Sequence, residues 1–178
     1  QEIKIGRRGS LTGYLTVKGV QGHVAYPEKA DNPVPRMVNY LEALGRAVFD
    51  KGSAHFPATN LEVTTIDVGN PATNVIPAKA EATFNIRFSD RWTIDTLKEK
   101  VLSILNSISP EYEIRFTTGA HGFLTQPGEW TTLVSRAVET VTGHKPALTT
   151  GGGTSDARFV ANYCPVVECG MVNKSIHQ

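Results

Sequence analysis

The sequence predicts an α+β protein, with a domain of four strands and two helices over residues 10–117 and a separate α/β segment over residues 118–178. Two kinds of pattern lead to this prediction. Short segments alternate between apolar and polar residues, which is typical of half-buried strands. Longer segments repeat apolar residues every three or four positions, which is typical of amphipathic helices. In residues 10–117 these segments follow one another as strand, helix, strand, strand, helix, strand.

The first strand and the first helix enclose a loop that contains two glycines. Residues 11–17 alternate in polarity and predict the strand. Residues 34–50 carry apolar side chains at helical spacing, beside Pro33 and Pro35, which the first turn of a helix tolerates. Residues 19–27 (GVQGHVAYP) join the two elements. A loop held between regular elements in this way is a common place for functional side chains.

The second half of this domain shows the same two patterns. Residues 61–68 predict a second strand, and residues 80–88 predict a third in which every second side chain is apolar. Thr93 can cap a helix over residues 94–108, and residues 112–116 alternate as a fourth strand. This order is that of the split βαβ, or ferredoxin-like, arrangement, in which four antiparallel strands carry both helices on one face.

Residues 118–178 show a different pattern. A loop leads to a predicted helix over residues 130–141, and a short strand over residues 147–149 precedes three glycines. A short helix over residues 156–161 and the apolar run 165–169 follow. Strand, glycine turn, helix and strand predict a βαβ unit of a parallel α/β sheet. Because one such unit cannot close a sheet, we expect this region to be part of a larger domain and the chain to be a piece of a longer protein.

The composition argues against several classes of function. A net charge of +1 provides no basic surface for nucleic acid or an anionic membrane, and no apolar stretch approaches the ~18 residues of a membrane span. We therefore expect a cytoplasmic protein with neither kind of partner. Cys164 and Cys169 lie in an apolar run and are expected to be buried, reduced thiols.

Three places carry side chains with catalytic or binding potential. His23 and Tyr26 project from the loop, either as functional groups or as incidental surface residues. The glycines at 151–153 precede Thr-Ser-Asp and expose backbone N–H groups that bind carboxylates or phosphates at a helix start, unless this is simply a capped turn. Ser155 lacks the Gly-x-Ser-x-Gly setting of a serine hydrolase. His177 follows the last predicted strand, where α/β proteins gather ligands.

Six motifs occur together in one order: Gly6-Arg7-Arg8-Gly9, Gln21-Gly22-His23-Val24-Ala25-Tyr26-Pro27, Asn74-Val75-Ile76-Pro77-Ala78, Asn85-Ile86-Arg87-Phe88, Thr150-Gly151-Gly152-Gly153-Thr154-Ser155-Asp156 and Ser175-Ile176-His177. As a set they resemble the dinuclear zinc aminoacylase and exopeptidase family. The resemblance covers essentially all 178 residues. Within that family, the GGGTSD turn and the GHVAYP loop favour members that act on N-succinyl-LL-2,6-diaminopimelate.

The resemblance implies a domain organisation and a cofactor. Residues 1–9 would lead in from a catalytic domain, residues 10–117 would form an inserted domain that makes a homodimer, and residues 118–178 would return to the catalytic domain. His177 matches a metal ligand of a site for two zinc ions, or cobalt in their place. The other ligands of the family are absent from this sequence, and each zinc needs about three or more protein ligands. We therefore expect the chain alone to be inactive.

The resemblance also implies an activity for the intact protein. It would hydrolyse the amide of N-succinyl-LL-2,6-diaminopimelate to succinate and LL-diaminopimelate, a step towards lysine and cell-wall diaminopimelate. One alternative is another amino-acid deacylase of the family, an acetylornithine deacetylase or a carboxypeptidase. Another is a non-catalytic dimerisation or ligand-binding module, because ferredoxin-like domains also bind amino acids without catalysis.

Roles for individual residues follow from the same resemblance. His23 matches the histidine that donates a hydrogen bond to the tetrahedral oxyanion. Arg87 matches a position suited to bidentate carboxylate recognition. The other implied substrate-binding residues are Tyr26, Asn74, Gly153, Thr154 and Arg8.

The strand order adds a hypothesis about the dimer. His23 follows the first strand and Asn74 follows the second, and these two strands are parallel in a βαβ unit. Arg87 lies near the far end of the third strand, which runs back, so roughly 30 Å separates it from the His23 edge. One site cannot easily use both ends of a sheet. We therefore expect His23 to act in the active site of the partner subunit.

Overall fold

The computed structural model describes residues 2–170, which form eleven strands and four α-helices. Along the chain these are β1 (Glu2–Lys4), β2 (Gly6–Arg7), β3 (Gly9–Lys18), β4 (Gly22–His23), α1 (Pro33–Arg46), β5 (Asn60–Asp67), β6 (Val75–Ile76), β7 (Lys79–Phe88), α2 (Ile94–Asn106), β8 (Glu113–Ala120), β9 (Phe123–Leu124), α3 (Glu129–Thr142), β10 (Ala147–Thr149), α4 (Ala157–Val160) and β11 (Glu168–Cys169). A short 3-10 helix spans Pro27–Lys29.

The largest sheet has four strands in the order β5-β7-β3-β8. All three neighbouring pairs are antiparallel, and β3 and β7 pair over their whole length, from Gly9 opposite Phe88 to Lys18 opposite Lys79. Both α1 and α2 pack on the apolar face of this sheet and share one core with it. The largest fully buried side chains of that core include Tyr40, Phe84 and Leu105.

Local sequence explains why these elements form. In β7 the even-numbered residues 80–88 are buried, as the alternation predicted, and the odd-numbered side chains line the opposite, polar face. Helix α1 begins where the Asn32 side chain accepts the Val34 N–H at 3.1 Å. Helix α2 begins at a capping box formed by Thr93 and Thr96.

Both helices end earlier than the periodicity predicted. The prediction carried α1 to about Asp50, but the helix ends at Arg46, where Ala47 is extended and turns Val48 out to 74% exposure. The prediction carried α2 to Ile108, which lies beyond the helix end and is 44% exposed. In both cases an apolar residue happened to fall on the helical spacing without packing in the core.

The second region differs from the predicted parallel βαβ unit. Its three-stranded sheet has the order β10-β1-β11, in which β1 is parallel to β10 and antiparallel to β11. Thus β10 and β11 are not parallel to each other, and the N-terminal strand β1 lies between them. The predicted parallel unit is therefore wrong, since α4 has only four residues and β11 pairs with β1 in the antiparallel direction.

Two other predictions for this region are corrected. The loop predicted over residues 118–128 contains strand structure, because β8 extends to Ala120 and β9 pairs with β2. Strand β2 connects β1 of the smaller sheet to β3 of the larger one, and β9 lies on the return path from β8 to β10. Cys164 and Cys169 are free, as predicted, but exposed rather than buried, because the apolar run around them is not covered within residues 2–170. Within the same residues, no helix has the length and apolar character needed to cross a membrane.

Candidate functional site

The loop with His23 is held beside Asn74 by a short pair of strands. His23 in β4 lies opposite Val75 in β6, and the Val24 N–H donates to the Asn74 carbonyl at 3.0 Å. The Asn74 side-chain nitrogen lies 3.5 Å from His23 Nε2. The Tyr26 ring lies 6.0 Å from the imidazole, centroid to centroid, and is 55% exposed. Three of the predicted site residues therefore form one exposed group.

The backbone determines which nitrogen of His23 carries a proton. His23 Nδ1 accepts the Ala25 N–H at 3.0 Å, so Nδ1 has no hydrogen in the neutral ring. The neutral ring must then carry its proton on Nε2, and the Asn74 amide beside it must be turned so that its oxygen faces Nε2, since two donors cannot pair. This is the tautomer that donating a hydrogen bond to an oxyanion requires.

An ion pair between Arg36 and Asp31 supports the base of this loop. The Arg36 guanidinium donates two hydrogen bonds to the Asp31 carboxylate, at 2.8 and 2.7 Å, and a third to the Lys18 carbonyl. Hydrogen bonding from Arg36 lowers the pKa of Asp31 and that from Asp31 raises the pKa of Arg36, in each case against a smaller effect of burial. Asp31 and Val20 in turn exchange two backbone hydrogen bonds of 2.9 Å. The loop is therefore fixed to the end of β3.

The two predicted arginines lie at the opposite end of the same sheet. Arg87 lies in β7 between Ser10 and Asn60 of the neighbouring strands. Arg8 Nη1 donates to Asn60 Oδ1 at 2.7 Å and to the Ala58 carbonyl at 3.3 Å. Burial, followed by the charge of Arg87, lowers the pKa of Arg8. No carboxylate in residues 2–170 forms an ion pair with either arginine, so this group is suited to bind an anion.

The glycine turn lies beside the first arginine of the Arg-Arg pair. Arg7 Nη1 donates to the Gly151 carbonyl at 3.0 Å, and Arg7 Nε donates to Glu168 at 2.5 Å. Gly152 has φ +97°, a conformation that L side chains rarely adopt, and a Cβ there would lie 2.7 Å from Arg7 Nη1. Gly153 and Thr154 are exposed. The turn therefore depends on glycine at position 152 and leaves the backbone beyond it accessible.

The start of α4 does not behave as a simple capped turn. Asp156 is the N-cap residue but its side chain makes no capping hydrogen bond. The Ser155 hydroxyl is buried and has no hydrogen-bond partner within residues 2–170. The alternative interpretation of the GGGTSD motif as an ordinary helix cap therefore receives no support from its hydrogen bonding.

The predicted residues thus fall into two separate groups. His23, Tyr26 and Asn74 lie beyond the Lys18 end of β3, whereas Arg8 and Arg87 lie at its Gly9 end. Eight residue steps from Ser10 to Lys18 span roughly 26 Å of strand. His177 lies outside the described residues, so its predicted role as a metal ligand is untested.

The structure adds residues that the motifs did not single out. Arg7 contacts the glycine turn, and Asn60 holds the Arg8 side chain. Thr150 is 3% exposed, and its hydroxyl donates to the His55 carbonyl. Arg7 and Thr150 belong to two of the six motifs, so the sequence contains a signal for both. Asn60 has no such signal, because its partner Arg8 is 52 residues away.

The described residues do not fit a zinc site. Within residues 2–170, no group of three or more His, Cys, Asp or Glu side chains is placed to hold a metal ion. Residues 2–170 therefore do not form a metal site by themselves.

Comparison with known proteins relates the chain to one domain family and to named relatives. The family model of the peptidase dimerisation domain matches residues 5–113. Curated relatives named succinyl-diaminopimelate desuccinylase are similar along nearly the whole chain: 53% identity over 177 residues in Xanthobacter autotrophicus and 55% over 181 residues in Methylobacterium nodulans, each covering 99% of this chain. The chain spans only 47% and 46% of the length of these two relatives.

Solved structures show the same fold at low sequence identity. Aminopeptidase PepT from Bacillus cereus has a TM-score of 0.74 at 18% identity, covering 93% of this chain and 44% of that protein. A tripeptidase from Staphylococcus aureus has a TM-score of 0.72 at 15% identity, with coverage of 93% and 44%. Because the family model matches more than half of the residues of this chain, the chain belongs to the peptidase dimerisation domain family.

Proposed function

We propose that this chain is the dimerisation domain and an adjoining catalytic segment of a metal-dependent succinyl-diaminopimelate desuccinylase. The complete enzyme would hydrolyse N-succinyl-LL-2,6-diaminopimelate to succinate and LL-diaminopimelate, for lysine and diaminopimelate biosynthesis in the cytoplasm. The observation that carries this proposal is identity of 53–55% over 98–99% of the chain to relatives of that name. The chain spans less than half of their length, so the activity belongs to the complete protein.

The arginines provide chemistry that fits this substrate, which carries several carboxylates. Arg8 and Arg87 are adjacent cations without an acidic partner in the described residues, and a guanidinium binds a carboxylate through two parallel hydrogen bonds. The exposed backbone at Gly153 and the Thr154 hydroxyl offer further donors beside Arg7. We assign carboxylate recognition to the two arginines and to this turn.

His23 is assigned to the developing oxyanion, in the active site of the partner subunit. The Nε2–H tautomer supports the donor role, and removal of one oxyanion donor typically costs about 100- to 1,000-fold in kcat. Asn74 and Tyr26 are assigned to the substrate beside it. The separation of His23 from Arg87 along β3 supports action across the dimer.

The homodimer is proposed to form through residues 10–117. Their strand order and antiparallel pairing support a ferredoxin-like domain, flanked by catalytic segments 1–9 and 118–178. Strand β5 is an edge of the sheet, and its Ile66 is 64% exposed. An unpaired edge with exposed apolar side chains is suited to pair with a second copy.

Two zinc ions, or cobalt ions in their place, are proposed for the complete enzyme, with His177 as one ligand. The metal ions would supply Lewis-acid polarisation of the amide carbonyl. Residues 2–170 hold no ligand cluster of their own, and we assign the remaining ligands to other parts of the complete protein.

Assays of the complete protein that contains this chain would test the proposal. We expect hydrolysis of N-succinyl-LL-2,6-diaminopimelate with kcat/KM at least about 100-fold above that for N-acetylornithine, because the arginines and glycine turn can pair with the succinyl carboxylate. The reverse preference would favour another deacylase of the family. Absence of hydrolysis with Zn²⁺ or Co²⁺ present would favour a binding module.

Mixed dimers would test the role of His23. A His23→Ala subunit and a His177→Ala subunit are each expected to be inactive as homodimers. Mixing them should restore activity, because one of the two sites in the mixed dimer then has both histidines intact. Mixing each variant with itself under the same conditions is the control, and mixed dimers without activity would contradict action across the dimer.

A further inference from the structure

Asp50 lies in the connection between α1 and β5 and accepts four hydrogen bonds. Its Oδ1 accepts the backbone N–H groups of Gly52 and Thr59, at 2.6 and 3.1 Å. Its Oδ2 accepts the Ser89 hydroxyl at 3.0 Å and the Trp92 indole N–H at 2.7 Å. The carboxylate thus joins both ends of the 50–60 connection to the turn between β7 and α2.

Burial alone raises the pKa of Asp50, but hydrogen bonds from Thr59, Gly52 and Trp92 outweigh it and lower the pKa to about 2. The four donors therefore bind a charged carboxylate. Arg91 adds another link from the same turn to the connection, since its Nε donates to the Gly52 carbonyl at 2.5 Å. An amide in place of the carboxylate would keep the shape but lose one acceptor and all of the charge.

Three groups of residues 50–60 accept hydrogen bonds from side chains outside this connection. The His55 carbonyl accepts the hydroxyl of buried Thr150, the residue directly before the glycine turn. The Ala58 carbonyl and the Asn60 side chain accept the Arg8 guanidinium. One segment therefore contacts both the glycine turn and the Arg8 side chain, which come from opposite ends of the chain.

We propose that Asp50 is a positioning residue, which shapes residues 50–60 so that they orient Arg8 and the glycine turn towards the carboxylates of the substrate. Asp50 itself need not contact the substrate. The inference rests on the proposed function for the identity of the substrate. It adds a residue that none of the six sequence motifs contains.

Kinetics of the complete protein would test this role. Because the oriented groups bind the substrate rather than react, Asp50→Asn should raise KM about tenfold and leave kcat within about threefold of the wild type. Thr150→Val, which cuts the link to His55 but leaves Asp50 intact, should also raise KM. The matched control is Asp90→Asn, which removes the same charge from an exposed side chain without a hydrogen bond in the described structure.

NMR of the 178-residue chain provides a test without activity. Asp50→Asn and Thr150→Val should both shift the amide signals of Gly151, Gly152 and Gly153, and Asp50→Asn should also shift the Arg8 Nε signal. Asp90→Asn should change neither. If Asp50→Asn does not fold, Ser89→Ala removes one donor from the carboxylate and should give smaller shifts of the same kind.

The outcomes separate the two proposals. Without hydrolysis by the wild-type enzyme, the proposed function fails, while the NMR shifts still decide whether Asp50 orients the turn. If the wild type is active but Asp50→Asn lowers kcat and leaves KM unchanged, Asp50 is a merely structural residue. Signals of the glycine turn that remain in place in Asp50→Asn would also overturn the inference.

Discussion

Replacing Gly19 with alanine would test whether the position of the His23 loop depends on a close backbone contact. A Cβ at residue 19 would lie 2.2 Å from the Asp31 carbonyl oxygen and 2.6 Å from the Pro33 ring. Neither atom belongs to a flexible side chain, so the strand end and the segment before α1 must separate. This separation breaks the two backbone hydrogen bonds between Val20 and Asp31.

The cost can be worked out from those two bonds. Each backbone hydrogen bond contributes about 0.5–1.5 kcal/mol net, so Gly19→Ala should lower the free energy of unfolding by about 1–3 kcal/mol. Gly45→Ala is the matched control, because a Cβ at residue 45 meets no atom within 4 Å. Gly45 lies in the last turn of α1, where alanine is favoured over glycine by at most roughly 0.5–1 kcal/mol. Replacing glycine with alanine should therefore lower the free energy of unfolding at residue 19 and raise it at residue 45.

Urea unfolding followed by circular dichroism would measure both differences. In the complete enzyme, Gly19→Ala should also lower kcat at least about tenfold, because His23 moves with the loop. Gly45→Ala should leave kcat unchanged. A Gly19→Ala variant as stable as the wild type, with unchanged kcat, would refute the view that this contact sets the loop position.

Three further predictions concern the acid stability, the arginine group and the core. The pKa of Asp50 is lowered from 3.8 to about 2 in the folded state. Its contribution to the free energy of unfolding, about 2 kcal/mol, is therefore complete above pH 3.8 and disappears as the pH falls towards 2. Asp50→Asn should remove this pH dependence from an acid unfolding curve followed by circular dichroism. Arg87→Met should raise KM for the succinylated substrate at least about tenfold, and an unchanged KM in steady-state kinetics would contradict carboxylate binding there. Phe84→Ala should destabilise the chain by about 3–5 kcal/mol in urea, since Phe84 is fully buried; a loss below about 1 kcal/mol would show that the core is loosely packed.

The sequence predicted the elements of the larger sheet well, because each has a local signature. Strand β7 alternates over its full length, and the Thr93 cap marks the start of α2. The smaller sheet could not be predicted in this way. Strand β1 has only three residues, and its partner β10 lies about 145 positions further along the chain. A segment that short carries no periodicity, so its place between β10 and β11 depends on tertiary contacts alone.

The candidate site was predictable by motif but not by side-chain direction. Arg7 and Arg8 are adjacent in an extended segment, so their side chains point to opposite sides. Arg7 contacts Gly151, whereas Arg8 contacts Asn60. Arg8 was singled out by the resemblance alone, because no local pattern tells which of two neighbouring arginines faces which side. Asp50 was missed for a similar reason, since Ser89 and Trp92 are about 40 residues away from it.

The length of β3 decides how the two groups of site residues can cooperate. A ligand pocket of about 300–1,000 Å³ is roughly 8–12 Å across, less than half of the roughly 26 Å between the ends of β3. Hydrogen bonds to β7 along the whole of β3 leave the strand no freedom to shorten. If His23 and Arg87 both bind one substrate molecule, they must therefore come from different copies of the chain.

This reasoning predicts that catalysis requires the dimer. Ile66→Asp places a charge on the edge strand β5, at a side chain that is 64% exposed, and should give a folded monomer without activity. Sedimentation velocity would report the oligomeric state, and the substrate assay would report the activity of the same sample. Val48→Asp is a control for an added surface charge, because Val48 is 74% exposed and lies outside the sheet. A monomeric Ile66→Asp variant that retains full activity would show that one copy completes the site, and the assignment of His23 to the partner subunit would then be wrong.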